Sequence, residues 1–218
     1  MSIALLLVYI TVASEFLPVL AALYNYRRLD RVLKLMALFC LLSVIPDLAG
    51  IINLFLKARY NNLFLMHLYD VMAVVFFTLI YYHAFFKPAL KKVTLILGGF
   101  TLLIMISNEI FIESIWMYPS VSNTILCLFC IPLSLIYFYQ ILTRQEFVHI
   151  EKQGMFWINA GVLIYFSVNI FLFMLFNKIS SAEKHDYYMM QSVSNIVANL
   201  LYSVGLLCKP QKTVSSRY

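Results

Sequence analysis

The chain has 218 residues, of which 63% are hydrophobic and only 12% are charged, and its mean hydropathy is +0.87. A soluble domain carries about 25% charged residues, so this composition excludes an ordinary soluble domain and a disordered chain. The apolar runs show no two-residue alternation, which excludes a membrane β-barrel and leaves helices as the spanning element. The formal net charge is +6. In a membrane protein an excess of Lys and Arg in the loops sets the orientation of the helices in the membrane. Because this explains the positive charge, we expect no nucleic-acid partner.

Seven apolar runs follow one another, each near or above the ~20 residues that cross a bilayer. We therefore predict an all-α fold, a polytopic integral membrane bundle of seven transmembrane helices that forms a single domain over residues 1–218. The predicted spans are 3–24, 32–56, 62–85, 91–112, 116–142, 155–177 and 187–208. The first run lacks a basic leading segment and contains Glu15 and Pro18. We expect it to be a retained span rather than a cleaved signal peptide.

The distribution of basic residues predicts the orientation of the bundle. Twelve of the 16 Lys and Arg residues fall on one side of this threading: Arg27, Arg28, Arg31, Lys34, Lys87, Lys91, Lys92, Arg144, Lys152, Lys209, Lys212 and Arg217. The remaining four are Lys57, Arg59, Lys178 and Lys184. Because cytoplasmic loops are enriched in Lys and Arg, we predict an outside N-terminus and a cytoplasmic C-terminus. The expected location is the cell membrane, specifically a bacterial inner membrane.

Polar residues inside the predicted spans are the candidate functional residues, because each costs free energy in lipid. In chain order, the candidate ligand- or ion-binding residues are Glu15, Asp47, His67, Asp70, Asn169, Gln191, Asn195, Asn199 and Tyr202. Four of these residues come from four different spans, namely Asp47, Asp70, Asn169 and Asn195. We predict that they lie ~12–14 Å below the outer ends of their spans and that Glu15 lies ~18 Å below. The last four candidates in the chain recur with helical spacing on one face of span seven. We therefore expect a shared polar layer facing an outward cavity.

Three interpretations of this layer remain open. The polar side chains could join the helices through hydrogen bonds, line a ligand pocket open to the outside, or form a cation or proton path. Pro46 lies directly before Asp47 and removes one backbone hydrogen bond there. Aromatic residues near the span ends, Tyr118 and Tyr188 among them, are typical of the interfacial belt.

The function that we predict is a receptor-like or accessory membrane subunit with an outward-facing polar pocket that passes a signal to a partner. Its partners would be the lipid bilayer, a small-molecule or cation ligand, and a membrane or cytoplasmic signalling protein. The alternative is a small solute transporter or a proton- or cation-coupled transporter with a 3+1+3 helix arrangement. That alternative is suggested by the matching positions of Asp70 and Asn195 in spans three and seven. An intramembrane lipid-modifying enzyme is a third possibility.

We expect no catalytic residue, metal site or cofactor. Only His67 and His83 lie within predicted spans, and the Cys127-x-x-Cys130 pair has no second pair beside it. Membrane zinc hydrolases with seven helices use three histidines, which this pattern does not supply. The four cysteines are more simply explained as buried thiols.

Two segments carry a resemblance to known proteins. The stretch from Phe156 to Asn169 and the stretch from Ser194 to Gly205 resemble small bacterial seven-helix membrane proteins of the histidine-kinase-associated sensor type. The resemblance implies a signalling role that depends on a partner protein, because we expect no effector in the short tail after Lys209.

Overall fold

The computed structural model of the chain describes residues 3–56, 63–114, 116–143, 150–176 and 184–208. Within these ranges the fold is all-α, with seven long helices and two short 3₁₀ turns. The helices are α1 (Ile3–Asn25), α2 (Arg31–Leu56), α3 (Leu63–Ala84), α4 (Pro88–Phe111), α5 (Ser120–Leu142), α6 (Gly154–Leu175) and α7 (Lys184–Leu207). The 3₁₀ turns cover Tyr26–Arg28 and Ile150–Lys152.

Six of these helices, α1 to α6, are long and apolar enough to cross a membrane. The chain is therefore a multi-pass membrane protein whose outer surface contacts lipid. The exposed side chains on these helices are largely apolar, as lipid contact requires; examples are Leu23, Ile96, Leu103, Leu128 and Phe171. The seventh helix has the same length but a more polar sequence, so its crossing of the membrane stays a prediction.

The helix boundaries agree with the predicted spans to within a few residues. The starts of α4, α5 and α7 differ by three or four residues, and proline explains the first two differences. Helix α4 begins at Pro88, three residues before the predicted start. Proline is favoured in the first turn of a helix, where its missing N–H has no partner to lose. Helix α5 begins only at Ser120, after Pro119 at the N-cap position. The apolar residues from Trp116 to Tyr118 extend the hydrophobic run beyond the helix itself.

The helices pack as a closed circuit that encloses the interior of the bundle. Going around it, α1 packs on α2, α2 on α3, α3 on α5, α5 on α6, α6 on α7, and α7 on α1. Helix α4 packs on α3 and α5 and stands outside this circuit. The interior is therefore lined by six helices, and α7 is held between α1 and α6.

Specific contacts define the two ends of the bundle. At the end that we call the Tyr118 end, the hydroxyl groups of Tyr118 and Tyr187 lie 3.0 Å apart, and the Tyr118 ring stacks on Phe176 at 3.8 Å. At the opposite end, the Asn25 end, the Asn25 amide donates to the Leu206 carbonyl at 3.0 Å. This last bond joins the end of α1 to the end of α7. It also provides a hydrogen-bond donor for a carbonyl in the last turn of α7, which has no partner within the helix.

The half of the bundle nearest the Asn25 end is a tightly packed core. Its largest fully buried side chains come from five helices and include Met36, Ile80, Tyr81, Leu133, Ile141, Ile158 and Leu206. Helices α6 and α7 approach closely here, because a Cβ atom on Gly205 would lie 2.7 Å from the Gly154 carbonyl oxygen. Glycine on both helices permits this approach.

A polar network lies at the centre of this packed half. Asn159 is fully buried, and its side-chain oxygen accepts hydrogen bonds from the Tyr81 hydroxyl at 2.7 Å and the Ser134 hydroxyl at 2.9 Å. Its amide nitrogen donates to the Ser134 carbonyl at 3.1 Å. The side chain therefore joins α3, α5 and α6 with its hydrogen-bonding groups satisfied, as a polar group in lipid requires.

Candidate functional site

A cavity of about 390 Å³ occupies the other half of the bundle. It is lined by residues of α1, α2, α3, α5, α6 and α7 and by Tyr118, with none from α4. On α7 the lining runs from Tyr188 near the helix start to Tyr202. These positions put the cavity between the Tyr118 end and the middle of the bundle. Its volume lies in the range of about 300–1,000 Å³ that is typical of small-molecule sites.

The wall between α1 and α7 is polar. The Asn195 amide donates to one oxygen of Glu15 at 3.3 Å, and the Asn199 amide donates to the Ser14 hydroxyl at 3.0 Å. Glu15 is 4% exposed, and its other oxygen has no hydrogen-bond partner. Gln191 and Tyr202 also line the cavity. The face of span seven that the sequence singled out therefore lies on the cavity.

The carboxyl groups of Asp47 and Asp70 belong to the same cavity but to different parts of it. Asp47 lies beside Glu15, on the neighbouring helix α2. Asp70, on α3, is 1% exposed, and one of its oxygens has no hydrogen-bond partner. Its acidic neighbours are Glu109 and Glu113 rather than Glu15. The cavity therefore presents carboxyl groups at two separate positions.

Aromatic side chains form much of the remaining wall. Tyr69 and Tyr165 line the cavity and lie near both Asp47 and Asp70. Toward the packed half the cavity ends at three phenylalanines, with ring centroids 5.0 Å apart for Phe39–Phe77 and 5.6 Å apart for Phe77–Phe166. The packing of these rings closes the cavity against the core.

Tyr118 and Tyr188, which the sequence analysis assigned to the interfacial belt, also line the cavity. Tyr118 is part of the connection between α4 and α5. Burial, and next the neighbouring Tyr187, raise the pKa of Tyr118 well above its usual value. Its hydroxyl shares a hydrogen bond with the Tyr187 hydroxyl at 3.0 Å.

Two of the candidate residues lie away from the cavity lining. Asn169 is buried between α6 and α7, where its amide donates to the Ser194 hydroxyl and to the Tyr165 carbonyl, both at 2.7 Å. His67 points toward α4 and the connection that follows it. Its Nε2 lies 3.0 Å from the Met117 carbonyl, and its Nδ1 lies 3.1 Å from Glu109 Oε1. Because a carbonyl only accepts, Nε2 donates, and one proton is then shared between Nδ1 and Glu109.

Sequence reasoning missed a carboxylate with a clear structural role. Glu113 accepts hydrogen bonds from the backbone N–H groups of Val121 at 2.8 Å and Ser122 at 3.4 Å, in the first turn of α5. Its other contact is the Asn108 amide at 2.8 Å. Glu113 thus caps the N-terminus of α5, where a negative charge is favourable. The sequence signal for this role is the position of Glu113, shortly before Pro119 and the start of α5.

Charged side chains differ between the two ends. The described basic residues at the Asn25 end are Arg27, Arg28, Arg31, Lys34, Lys87, Lys91, Lys92 and Lys152. At the Tyr118 end the described charged side chains are acidic, namely Glu109, Glu113 and Asp186. Lys57, Arg59, Arg144, Lys178, Lys209, Lys212 and Arg217 lie outside the described residues, and of Lys184 only the backbone is described. No group of three or more His, Cys, Asp or Glu residues able to hold a metal ion occurs in the described part of the chain.

Comparisons of the chain with protein-family models, with curated proteins and with solved structures gave no match.

Proposed function

We propose that the protein is a receptor-like or accessory membrane subunit that binds a small ligand in this cavity and passes the binding event to a partner protein. The observation that carries the proposal is the cavity itself, which holds buried polar groups at the Tyr118 end and is closed by packed aromatic rings toward the core. A largely pre-formed cavity with a few convergent polar groups is the usual form of a ligand site.

The proposed orientation places the Tyr118 end outside and the Asn25 end in the cytoplasm of a bacterial cell, with α7 as the seventh span. Eight described Lys and Arg residues at the Asn25 end support it, since basic residues are retained on the cytoplasmic side. The ligand would then enter from outside. The basic surface would face the cytoplasm, where a signalling partner of the type suggested by the resemblance can dock.

Helix α7 supplies a physical link between the two ends. It lines the cavity from Tyr188 to Tyr202, and its last turn is hydrogen-bonded to Asn25 through the Leu206 carbonyl. Gly161 on α6 leaves room for the Tyr202 ring, since a Cβ atom there would lie 2.7 Å from that ring. A ligand that displaces Tyr202 would therefore shift α7 against α6, and the shift would reach the basic end.

Purification from native membranes in mild detergent, with mass spectrometry of co-eluting proteins, tests the partner. A stoichiometric protein partner is the expected result, and a protein that purifies alone would count against the subunit role. The cavity is tested in the host with the double variant Asp47→Asn with Asp70→Asn. The proposal is abandoned if the variant is made at normal levels and every response of the host is unchanged.

A cation-coupled transporter is the second candidate, favoured by the three buried or half-buried carboxyl groups of Glu15, Asp47 and Asp70 in one cavity. Carboxyl groups in a membrane interior commonly carry protons or cations. This candidate predicts proton or solute flux into liposomes that Asp70→Asn abolishes. Absence of flux across a broad panel of solutes and pH gradients would count against it.

A further inference from the structure

The side chains of the cavity have a one-sided charge. Its lining includes three carboxyl groups, Glu15, Asp47 and Asp70, and among the described residues that line it there is no Lys or Arg. An anionic ligand would find no basic side chain among these lining residues. A cationic ligand would favour the ionised form of a neighbouring carboxyl group, and in a region of low dielectric constant the attraction between the two is stronger than in water.

Two of the carboxyl groups have hydrogen-bonding capacity that the protein leaves unused. One oxygen of Glu15 and one of Asp70 are buried and accept no hydrogen bond from an N–H or hydroxyl group of the protein, and the Glu15 carboxyl contacts the carboxyl of Asp47. Both side chains are more than nine-tenths buried and both line the cavity. A buried carboxyl oxygen that lacks a partner costs free energy, and a donor supplied by a ligand would remove that cost.

The position beside Glu15 is the better organised of the two. The Asn195 amide holds one Glu15 oxygen at 3.3 Å, and the other Glu15 oxygen accepts no hydrogen bond from a protein N–H or hydroxyl group. Asp47 adds a second carboxyl group beside it. Two adjacent carboxyl groups match the three N–H donors of a primary ammonium group.

The rest of the cavity suits an apolar or aromatic body attached to that ammonium group. Tyr69 and Tyr165 present aromatic rings near Asp47, and Phe39 closes the cavity toward the core. Aromatic rings attract cations through their faces and pack well against apolar groups. The lining therefore combines acidic groups for a charge with rings for a hydrocarbon portion.

We propose that the ligand of this cavity is an organic amine in its ammonium form. The ammonium group donates hydrogen bonds to the paired carboxyl groups of Glu15 and Asp47, Asn195 positions Glu15, and the apolar body lies against Tyr69, Tyr165 and Phe39. This inference rests on the proposed ligand-binding function and names the chemical class of the ligand.

The test uses the full-length protein in lipid nanodiscs, with binding measured by calorimetry and by thermal unfolding. The probes are primary amines from butylamine through phenethylamine to dodecylamine, each paired with the alcohol of the same carbon skeleton, and sodium chloride at matched ionic strength. We expect at least one amine to bind about tenfold or more tightly than its alcohol, because only the amine forms charge-assisted hydrogen bonds. Glu15→Gln and Asp47→Asn should each remove most of that difference.

Asp30→Asn is the matched control variant. Asp30 lies at the Asn25 end outside the cavity, where its carboxylate accepts from the Leu33 N–H at 2.8 Å. Asparagine retains that capping role. The amine preference should survive in this variant. The comparison of amine with alcohol on the unaltered protein needs no substitution, so it decides the question even if Glu15→Gln fails to fold.

The outcomes separate this inference from the proposed function. If alcohols bind as tightly as amines, the cavity is a binding site but the ammonium proposal is overturned. If no amine binds, or if sodium ions alone stabilise the protein, the ammonium proposal is overturned as well. The receptor-like function is judged separately, by the host response of the Asp47→Asn with Asp70→Asn variant.

Discussion

The Asn159 network in one half of this bundle and the carboxyl groups of the cavity in the other half differ in how far their hydrogen-bonding groups are satisfied. In the half nearest the Asn25 end, the Asn159 side chain accepts two hydrogen bonds and donates a third, and the helices pack around it. In the half nearest the Tyr118 end, Glu15 and Asp70 each keep a buried oxygen without a partner, beside a cavity of about 390 Å³.

The difference separates a structural role for the Asn159 network from the binding role that we propose for the cavity carboxyl groups. A network whose members satisfy one another stabilises the bundle and leaves nothing for a ligand. Carboxyl groups that stay unsatisfied lower stability, and we propose that those of the cavity are retained for ligand binding. Stability measurements on single variants in detergent micelles therefore test this difference between the two halves.

The largest effect is expected for Asn159→Leu, in the packed half. The substitution leaves the Tyr81 hydroxyl without its acceptor and inserts a branched side chain into a filled space. We expect the free energy of unfolding to fall by about 3 kcal/mol. Ser167→Ala, at an exposed position on the same helix, is the control and should change stability by less than ~0.5 kcal/mol. Equal stability of the two variants would contradict the structural role of the network.

Gly205→Ala should give the next largest effect. The new Cβ atom would lie 2.7 Å from the Gly154 carbonyl oxygen and 2.8 Å from the Ile158 side chain. Helices α6 and α7 must then separate, at a cost of about 1–3 kcal/mol. At Gly99, on α4, a Cβ atom meets nothing within 4 Å. Gly99→Ala should therefore leave the midpoint of thermal unfolding unchanged or raise it slightly, and a fall as large as that of Gly205→Ala would refute the packing argument.

Glu113→Ala tests an acidic residue with a structural role at the Tyr118 end. It removes the acceptor for the first backbone N–H groups of α5, so unfolding should become easier by about 1–2 kcal/mol. Glu113→Gln keeps an acceptor oxygen and should recover part of the loss. If Ala and Gln variants are both as stable as the unaltered protein, the capping role is wrong.

Asp70→Asn should have the smallest effect on stability, below ~1 kcal/mol and in either direction. The carboxyl group has an oxygen without a partner in the folded protein, so replacing it with an amide removes little that holds the helices together. Thermal unfolding of this variant beside Glu113→Ala compares two acids from the same end. A loss of several kcal/mol for Asp70→Asn would favour the alternative in which the polar layer only joins the helices.

Much of this organisation is visible in the sequence. Helix positions follow from run length, and the polar face of α7 follows from the spacing of Gln191, Asn195 and Asn199, which all line the cavity. The partner of each polar group is not visible, because it depends on which helices are neighbours. The Asn169 amide donates to the Ser194 hydroxyl, and the His67 ring contacts Glu109 instead of lining the cavity.

The cavity's aromatic wall is the part that sequence patterns describe least well. Tyr118 and Tyr188 occur near helix ends, where lipid-facing and cavity-facing tyrosines look the same in a sequence. Whether each ring faces lipid or the cavity depends on how the helices pack around the interior. The cap formed by Glu113 is hidden for a similar reason, since its acceptor role depends on how the connection between α4 and α5 folds back.

We propose that the Tyr118 half of the bundle holds an accessible binding cavity and that the Asn25 half does not. Thiol labelling in whole cells tests it most directly, with single cysteines at Gln191→Cys and Ser134→Cys in a chain whose four native cysteines are replaced by alanine. A membrane-impermeant reagent should label position 191, on the cavity, and leave position 134, which is fully buried in the packed half, unlabelled until the protein is unfolded. Labelling at 134 equal to that at 191, or none at 191 in the folded protein, would contradict the account.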